Sequence, residues 1–244
     1  MLISHKKKFI FTKTKKTAST SVESYFEKYC VPEGEWTFSH AREEYVGEEG
    51  IIGYRGGNRR NQMWRNHMSA AKIREEIGAS IWNSYFKFTV VRNPFDKLVS
   101  GFYMQEKRIK NYTPAQKLKI IVQKLIGKAN PRDYIVGDSQ IERFKSWIRN
   151  GGAAGGAMLD RNKYMIDGDI CIDFFIRYED LENGIKHVCD KIDVAFELQN
   201  IPNFKSGMRN WQLLLSDFYD QETINIVNNL YSFELNHFGY TAPS

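Results

Sequence analysis

FIFTKTKKTASTSVE, residues 9–23, passes from a short apolar stretch through a polar turn into a helical pattern. Lys8 to Thr14 has the composition of a strand, and Val22, Tyr25, Phe26 and Tyr29 fall at helical spacing within Thr20 to Cys30. Thr20 with Glu23 three residues later has the form of a capping box, which predicts a helix start just after the turn. The turn itself brings together the Lys16 ammonium, the hydroxyls of Thr17, Ser19, Thr20 and Ser21, and main-chain N–H groups around Ala18. Those are the groups that hold an anion with several oxygens, although lysines and threonines can also simply decorate a surface turn. A magnesium–nucleotide loop would ordinarily read GxxxxGK[ST], yet the first glycine of the chain is Gly34.

Working outward, the strand-then-helix arrangement recurs twice. Tyr85 to Val91 is a strand candidate followed by Arg92, Asn93 and Pro94, with Asn93 placed as N-cap and Pro94 as first helical residue. Ile170 to Ile176 is a third strand, leading through Arg177, Tyr178 and Glu179 into a helix carrying Ile185, Val188 and Ile192. Three such units predict an α/β chain with a central, mainly parallel sheet flanked by helices, a three-layer arrangement with a P-loop-like turn. Helical stretches are expected at Ser69–Ile77, Pro114–Lys128 and Ser139–Asn150, and one terminal helix over Asp220–Phe238. Gly47–Gly57 and Gly151–Gly156 read as surface loops. With 244 residues, 42% of them hydrophobic, the chain fits one domain over residues 1–244.

Two of these segments carry a family resemblance. FIFTKTKKTASTSVE resembles the 5′-phosphosulfate loop of sulfotransferases that use 3′-phosphoadenosine 5′-phosphosulfate (PAPS), a strand followed by PK[TS][AG][GS]T[ST]. YFKFTVVRNPFDKLVSGFY, residues 85–103, resembles that family's 3′-phosphate motif, which implies that Arg92 and Ser100 clasp the ribose 3′-phosphate. A guanidinium offers a planar fork to phosphate oxygens, and a serine two turns along a helix can close on the same group. NHMSAAKIREEIGASIWNSYFKF, IDFFIRYEDLE and the terminal helix are similar to the carbohydrate-type, Golgi-like branch. The sequence departs from the pattern at Lys15, where proline is usual, and at Ser19, where glycine is common.

The resemblance implies in-line, metal-independent transfer of a sulfuryl group from PAPS to a hydroxyl of a glycan or small-molecule acceptor. Lys16 would relieve charge on the leaving oxygen, and His67 is the candidate base. A histidine merely flanking a helix is the alternative for His67; His40 stands in reserve, and Glu43 or Glu44 suits an amine acceptor. Lys205 and Arg209 belong to a basic loop that either closes over the nucleotide or is simply solvated. Arg55, Arg59, Arg60 and Arg65 either line an acceptor groove or form a solvated loop, while His5, His187 and His237 read as structural.

Two other function classes are compatible with a phosphate turn: a kinase with an atypical loop, and a non-catalytic module binding anionic glycan. The aromatic residues fall at core-periodic positions, which argues against a nucleic-acid platform. Cys30, Cys171 and Cys189 lack zinc spacing, so neither metal nor disulfide is expected. No apolar run is long enough to span a bilayer, and the lysines near the start leave no room for a signal peptide, so a cytoplasmic chain without membrane contact is expected.

Overall fold

A computed structural model describes residues 1–56, 62–127, 135–155, 158–201 and 213–244. They fall into two compact units, Met1–Val91 with Asp160–Phe204, and Arg92–Leu159 with Lys205–Ser244.

The first unit contains a six-stranded sheet. Its strands are β1 (Leu2–Ser4), β2 (Phe9–Phe11), β3 (Tyr45–Val46), β4 (Gly50–Ile52), β5 (Phe86–Val91) and β8 (Phe174–Arg177), in the order β3-β4-β1-β2-β5-β8. A separate hairpin joins β6 (Met165–Ile166) to β7 (Asp169–Ile170). β2, β5 and β8 pair in parallel, while β1 runs antiparallel between β2 and β4. β4 therefore points the same way as β2, β5 and β8, and the sheet is mainly parallel in direction.

Alternation along the short strands fills both faces. Phe9, Phe11, Phe88, Val90 and Ile176 face helices α1 (Ser19–Phe26) and α7 (Leu181–Lys191), packing on Val22, Phe26, Ile185 and Val188. Gly184 permits that approach, because a Cβ there would lie 2.6 Å from Ile176 Cγ2. Met1, Ile3, Ile10 and Ile51 point to the other face, against Trp64, Met68 and helices α2 (Ala70–Ile77) and α3 (Ala79–Ser84). The sheet with a helical layer on each face is the three-layer α/β arrangement expected.

Several boundaries differ from the sequence reading. β1 was not expected: it is three residues long, and its pairing partners are set by the hairpin through Lys8, whose φ of 52° turns the chain. The glycine-rich segment from Gly47 is no free loop, since Gly50–Ile52 is a buried strand beside β1. The third predicted strand divides at Cys171, with Asp169–Ile170 in the hairpin and Phe174–Arg177 in the main sheet.

The second unit is helical: α4 (Pro94–Lys110), α5 (Pro114–Leu125), α6 (Gln140–Arg149), α8 (Gln221–Leu230) and α9 (Ser232–Phe238). Phe95, Leu98, Phe102, Phe144, Trp147, Phe218 and Tyr231 form its core. Asn93 caps α4 as predicted, its side chain accepting from the Phe95 N–H at 3.0 Å, with Pro94 in the first turn. The predicted terminal helix is broken at Tyr231, which is buried and donates its hydroxyl to the Ala153 carbonyl at 3.0 Å. That break is imposed by tertiary packing, and no glycine or proline announces it.

Candidate active site

The segment between β2 and α1 is shaped by hydrogen bonds to its own side chains and to β5. Thr14 Oγ1 donates to the Val90 carbonyl at 2.6 Å, tying the loop to the strand that runs directly into Arg92. Thr14, Thr17 and Ser19 form a hydroxyl triangle with edges of 2.8, 2.9 and 2.6 Å, and all three residues are buried. Each hydroxyl has one proton. With the Thr14 proton committed to Val90, the Thr17 and Ser19 protons are shared among the three edges of the triangle, so these two hydroxyls hold the resting loop and can turn towards an arriving anion.

Lys16 and Ala18 adopt left-handed backbone, with φ of 62° and 58°. Non-glycine residues reach this region at a steric cost, and alternation into and out of it aims successive N–H groups at one point. Ala18 is the N-cap of α1 and supplies no capping side chain. The Ser21 N–H donates to the Ala18 carbonyl at 2.8 Å, which leaves the Ser19 and Thr20 amides for an external acceptor, where the helix dipole favours negative charge.

The predicted Thr20–Glu23 capping box does not form, because α1 begins at Ser19 and Glu23 is drawn into the interior. There its carboxylate meets the Met1 amino group at 2.6 Å, Lys13 and Arg55; Glu27, one turn on, meets Arg55 at 2.5 Å and Arg42 at 3.2 Å. Burial would raise the Glu23 pKa, but the surrounding cations outweigh it and hold the carboxyl far below its ordinary range. Arg55, weighed for an acceptor groove, is thereby reassigned. Lys13 is buried against Glu23, and Arg55 is held by both glutamates and by the carbonyls of Ser39 and His40, so neither lines an open groove.

Lys15 and Lys16 are both half-buried. The Lys15 N–H donates to Asp160 Oδ2 at 2.8 Å, and Asp160 is itself buried. Proline has no N–H and could not make this bond. The departure at Lys15 therefore comes with a tether from the loop to Asp160, a residue that gave no signal in the sequence.

His67 lies two residues before the Ser69 N-cap of α2, in left-handed backbone with φ 60°. Its Nδ1 is 2.9 Å from the Lys13 carbonyl. A carbonyl can only accept, so Nδ1 carries the proton and Nε2 presents a lone pair. Burial, reinforced by the charges of Lys13 and Lys15, pulls the His67 pKa down to about 3. The ring is neutral at physiological pH, in the tautomer a general base requires.

Arg92 immediately follows β5, and its Nε and Nη2 donate to Asp96 Oδ2 at 2.8 and 2.6 Å. Ser100 stands one turn beyond Asp96 on α4, so Arg92, Asp96 and Ser100 follow one another along one side of the helix start. Asp96 was legible from its i+4 spacing. Lys205 and Arg209, together with Arg59 and Arg60, lie outside the described residues.

The remaining candidates are placed as follows. His40 is exposed, Glu44 accepts from the Trp64 N–H at 2.5 Å, and Glu43 accepts from Gln62 at 3.1 Å. His5 contacts the Tyr85 hydroxyl at 2.9 Å, and His187 and His237 stack on Phe174 and Phe233. Cys30, Cys171 and Cys189 are free thiols, Cys30 and Cys189 buried.

A model of the Sulfotransferase family matches residues 1–241. No curated protein and no solved structure matches the chain. The family match overturns the cytoplasmic placement: its members are typically lumenal carbohydrate sulfotransferases of the Golgi, and lack of a long apolar run is no guide to the compartment in which such a domain works. Among the described residues no helix is long and apolar enough to cross a membrane. With the match covering all but the last three of 244 residues, the chain belongs to the sulfotransferase family.

Proposed function

We propose that the chain, acting as one domain over residues 1–244, transfers a sulfuryl group from PAPS to a hydroxyl of a glycan or small-molecule acceptor. The observation that carries this reading is the loop from Lys13 to Ser19: an uncapped helix N-terminus, left-handed residues at Lys16 and Ala18, and buried hydroxyls that can turn outward. These residues fit a phosphosulfate, which presents several oxygens and full negative charge, and they do so through main-chain amides.

PAPS supplies the sulfuryl group, and its departing partner is the bisphosphate. In the proposed assignment the main-chain amides of Ala18, Ser19 and Thr20 and the hydroxyls of Thr17, Ser19, Thr20 and Ser21 hold the 5′ end, and Arg92 with Ser100 holds the 3′-phosphate. Asp96 would fix the orientation of the Arg92 guanidinium. The Lys16 ammonium lies beside the leaving oxygen and offsets the charge that grows there. His67 Nε2 takes the proton from the acceptor hydroxyl as its oxygen bonds to sulfur and the bond from sulfur to the leaving oxygen breaks. Lys205 and Arg209 are proposed to cover the nucleotide.

The test is transfer of label from ³⁵S-PAPS to a panel of desulfated glycans and phenolic small molecules. Wild type is expected to label at least one acceptor, with His67→Ala about 10²–10⁴-fold slower at unchanged PAPS affinity. Label transfer that survives His67→Ala at full rate would remove His67 from the mechanism.

A further inference from the structure

Helix α5 (Pro114–Leu125) displays an apolar stripe to solvent. Leu118, Ile121, Val122 and Leu125 are 62, 54, 47 and 82% exposed, and Ile126 just beyond the helix is 58% exposed. At 100° per residue the four helical positions fall within about 100° of one face. Lys117 and Lys119, both exposed, lie on opposite sides of that stripe. The inner side of the helix is already used: Ile120 turns to the body of its unit, where it lines a cavity of about 290 Å³ with Ile109, Tyr112 and Ile135, and Ile121 and Lys117 reach the same cavity from the edge of the stripe. Leu118, Val122 and Leu125 do not line it, and they carry the outward part of the stripe.

Charge says what the stripe faces. Residues 107–132 contain eight lysines and arginines and not one aspartate or glutamate. We propose that this helix lies in the surface of an anionic lipid bilayer, its apolar stripe in the acyl boundary and the flanking lysines among the headgroups. A basic amphipathic helix with lysines at the polar–apolar border has this preference, since the lysine stems reach up to phosphate while the stripe is removed from water. Two copies of the chain meeting through the stripe would bring basic flanks together, which disfavours self-association. The lack of a membrane-crossing helix bears only on spanning, and a helix lying in the interface needs no such length.

The experiment is co-sedimentation of the full chain with vesicles of phosphatidylcholine alone and with phosphatidylserine added, at low and high salt, alongside sedimentation velocity without lipid. It uses no enzymatic activity and is independent of the proposed reaction. Expected is binding to the phosphatidylserine vesicles that high salt weakens, about fivefold loss for each of Lys117→Gln and Lys119→Gln, and about 25-fold for the pair. Leu118→Glu with Leu125→Glu, neither of which lines the cavity, is expected to abolish binding with the circular dichroism spectrum unchanged. Equal binding to both vesicle types, no binding to either, or retention by the Leu118→Glu/Leu125→Glu protein would overturn the proposal. So would a wild-type dimer, dispersed by those substitutions, that ignores vesicles, because the stripe would then belong to a second copy.

Discussion

Replacing Lys15 by the proline usual in the family motif removes the N–H that Asp160 accepts at 2.8 Å, together with the side-chain charge that acts on His67. A hydrogen bond to a buried charged acceptor contributes about 1.5–3 kcal/mol. Proline returns about 0.4–1 kcal/mol by restricting the unfolded chain, so Lys15→Pro should destabilise the protein by about 0.5–2.6 kcal/mol. Asp160→Ala loses more, since Asp160 has further interactions, while Asp160→Asn keeps an acceptor of roughly half the strength. The tether is isolated by a double-mutant cycle: in the Lys15→Pro background, Asp160→Ala should cost about 1.5–3 kcal/mol less than in wild type. Urea midpoints read the stability coupling. Titration with 3′-phosphoadenosine 5′-phosphate reads its effect on the loop, for which full coupling corresponds to roughly a 10- to 150-fold change in affinity. Effects that add to within about 0.3 kcal/mol would refute the tether.

Glu23→Gln leaves Lys13, Arg55 and the Met1 amine facing a neutral group in the interior, and should lower stability by about 3–5 kcal/mol, read from chemical denaturation. Because the Glu23 pKa is depressed in the folded state, its contribution is complete above the ordinary carboxylate pKa and is lost as pH falls below it; the acid limb of the wild-type stability curve should flatten in the variant. His67 is also depressed, to about 3, so the unfolded chain binds a proton that the folded one refuses between the ordinary imidazole pKa of about 6.5 and that value. Stability should therefore fall as pH drops through this window, and His67→Gln should remove that slope. The same depression predicts that kcat/KM keeps its neutral-pH value well below 6.5, because the free enzyme's base is already deprotonated there.

The elements with strong local patterns were legible: the alternation of β2 and β5, the Asn93–Pro94 start of α4, and the order of strand, turn and helix around both phosphate motifs. What escaped was decided by distant partners. Glu23 has the spacing of a capping residue, yet three cations from separate segments draw it inside. Lys13 and Arg55 look like ligand cations in a basic sequence and prove to be its counterions. Asp160 lies 145 residues from the amide it holds, so no spacing rule reaches it. His67 was found by its neighbourhood in sequence, but its tautomer depends on the Lys13 carbonyl and is visible only in three dimensions.

The central claim is a donor site for PAPS built on the β2–α1 loop and Arg92. Calorimetric titration of wild type and Arg92→Ala with 3′-phosphoadenosine 5′-phosphate, and separately with ATP and magnesium, tests it most directly. The account predicts tight, magnesium-independent binding of the bisphosphate that is lost in the variant; no binding, or preference for ATP with magnesium, would contradict it.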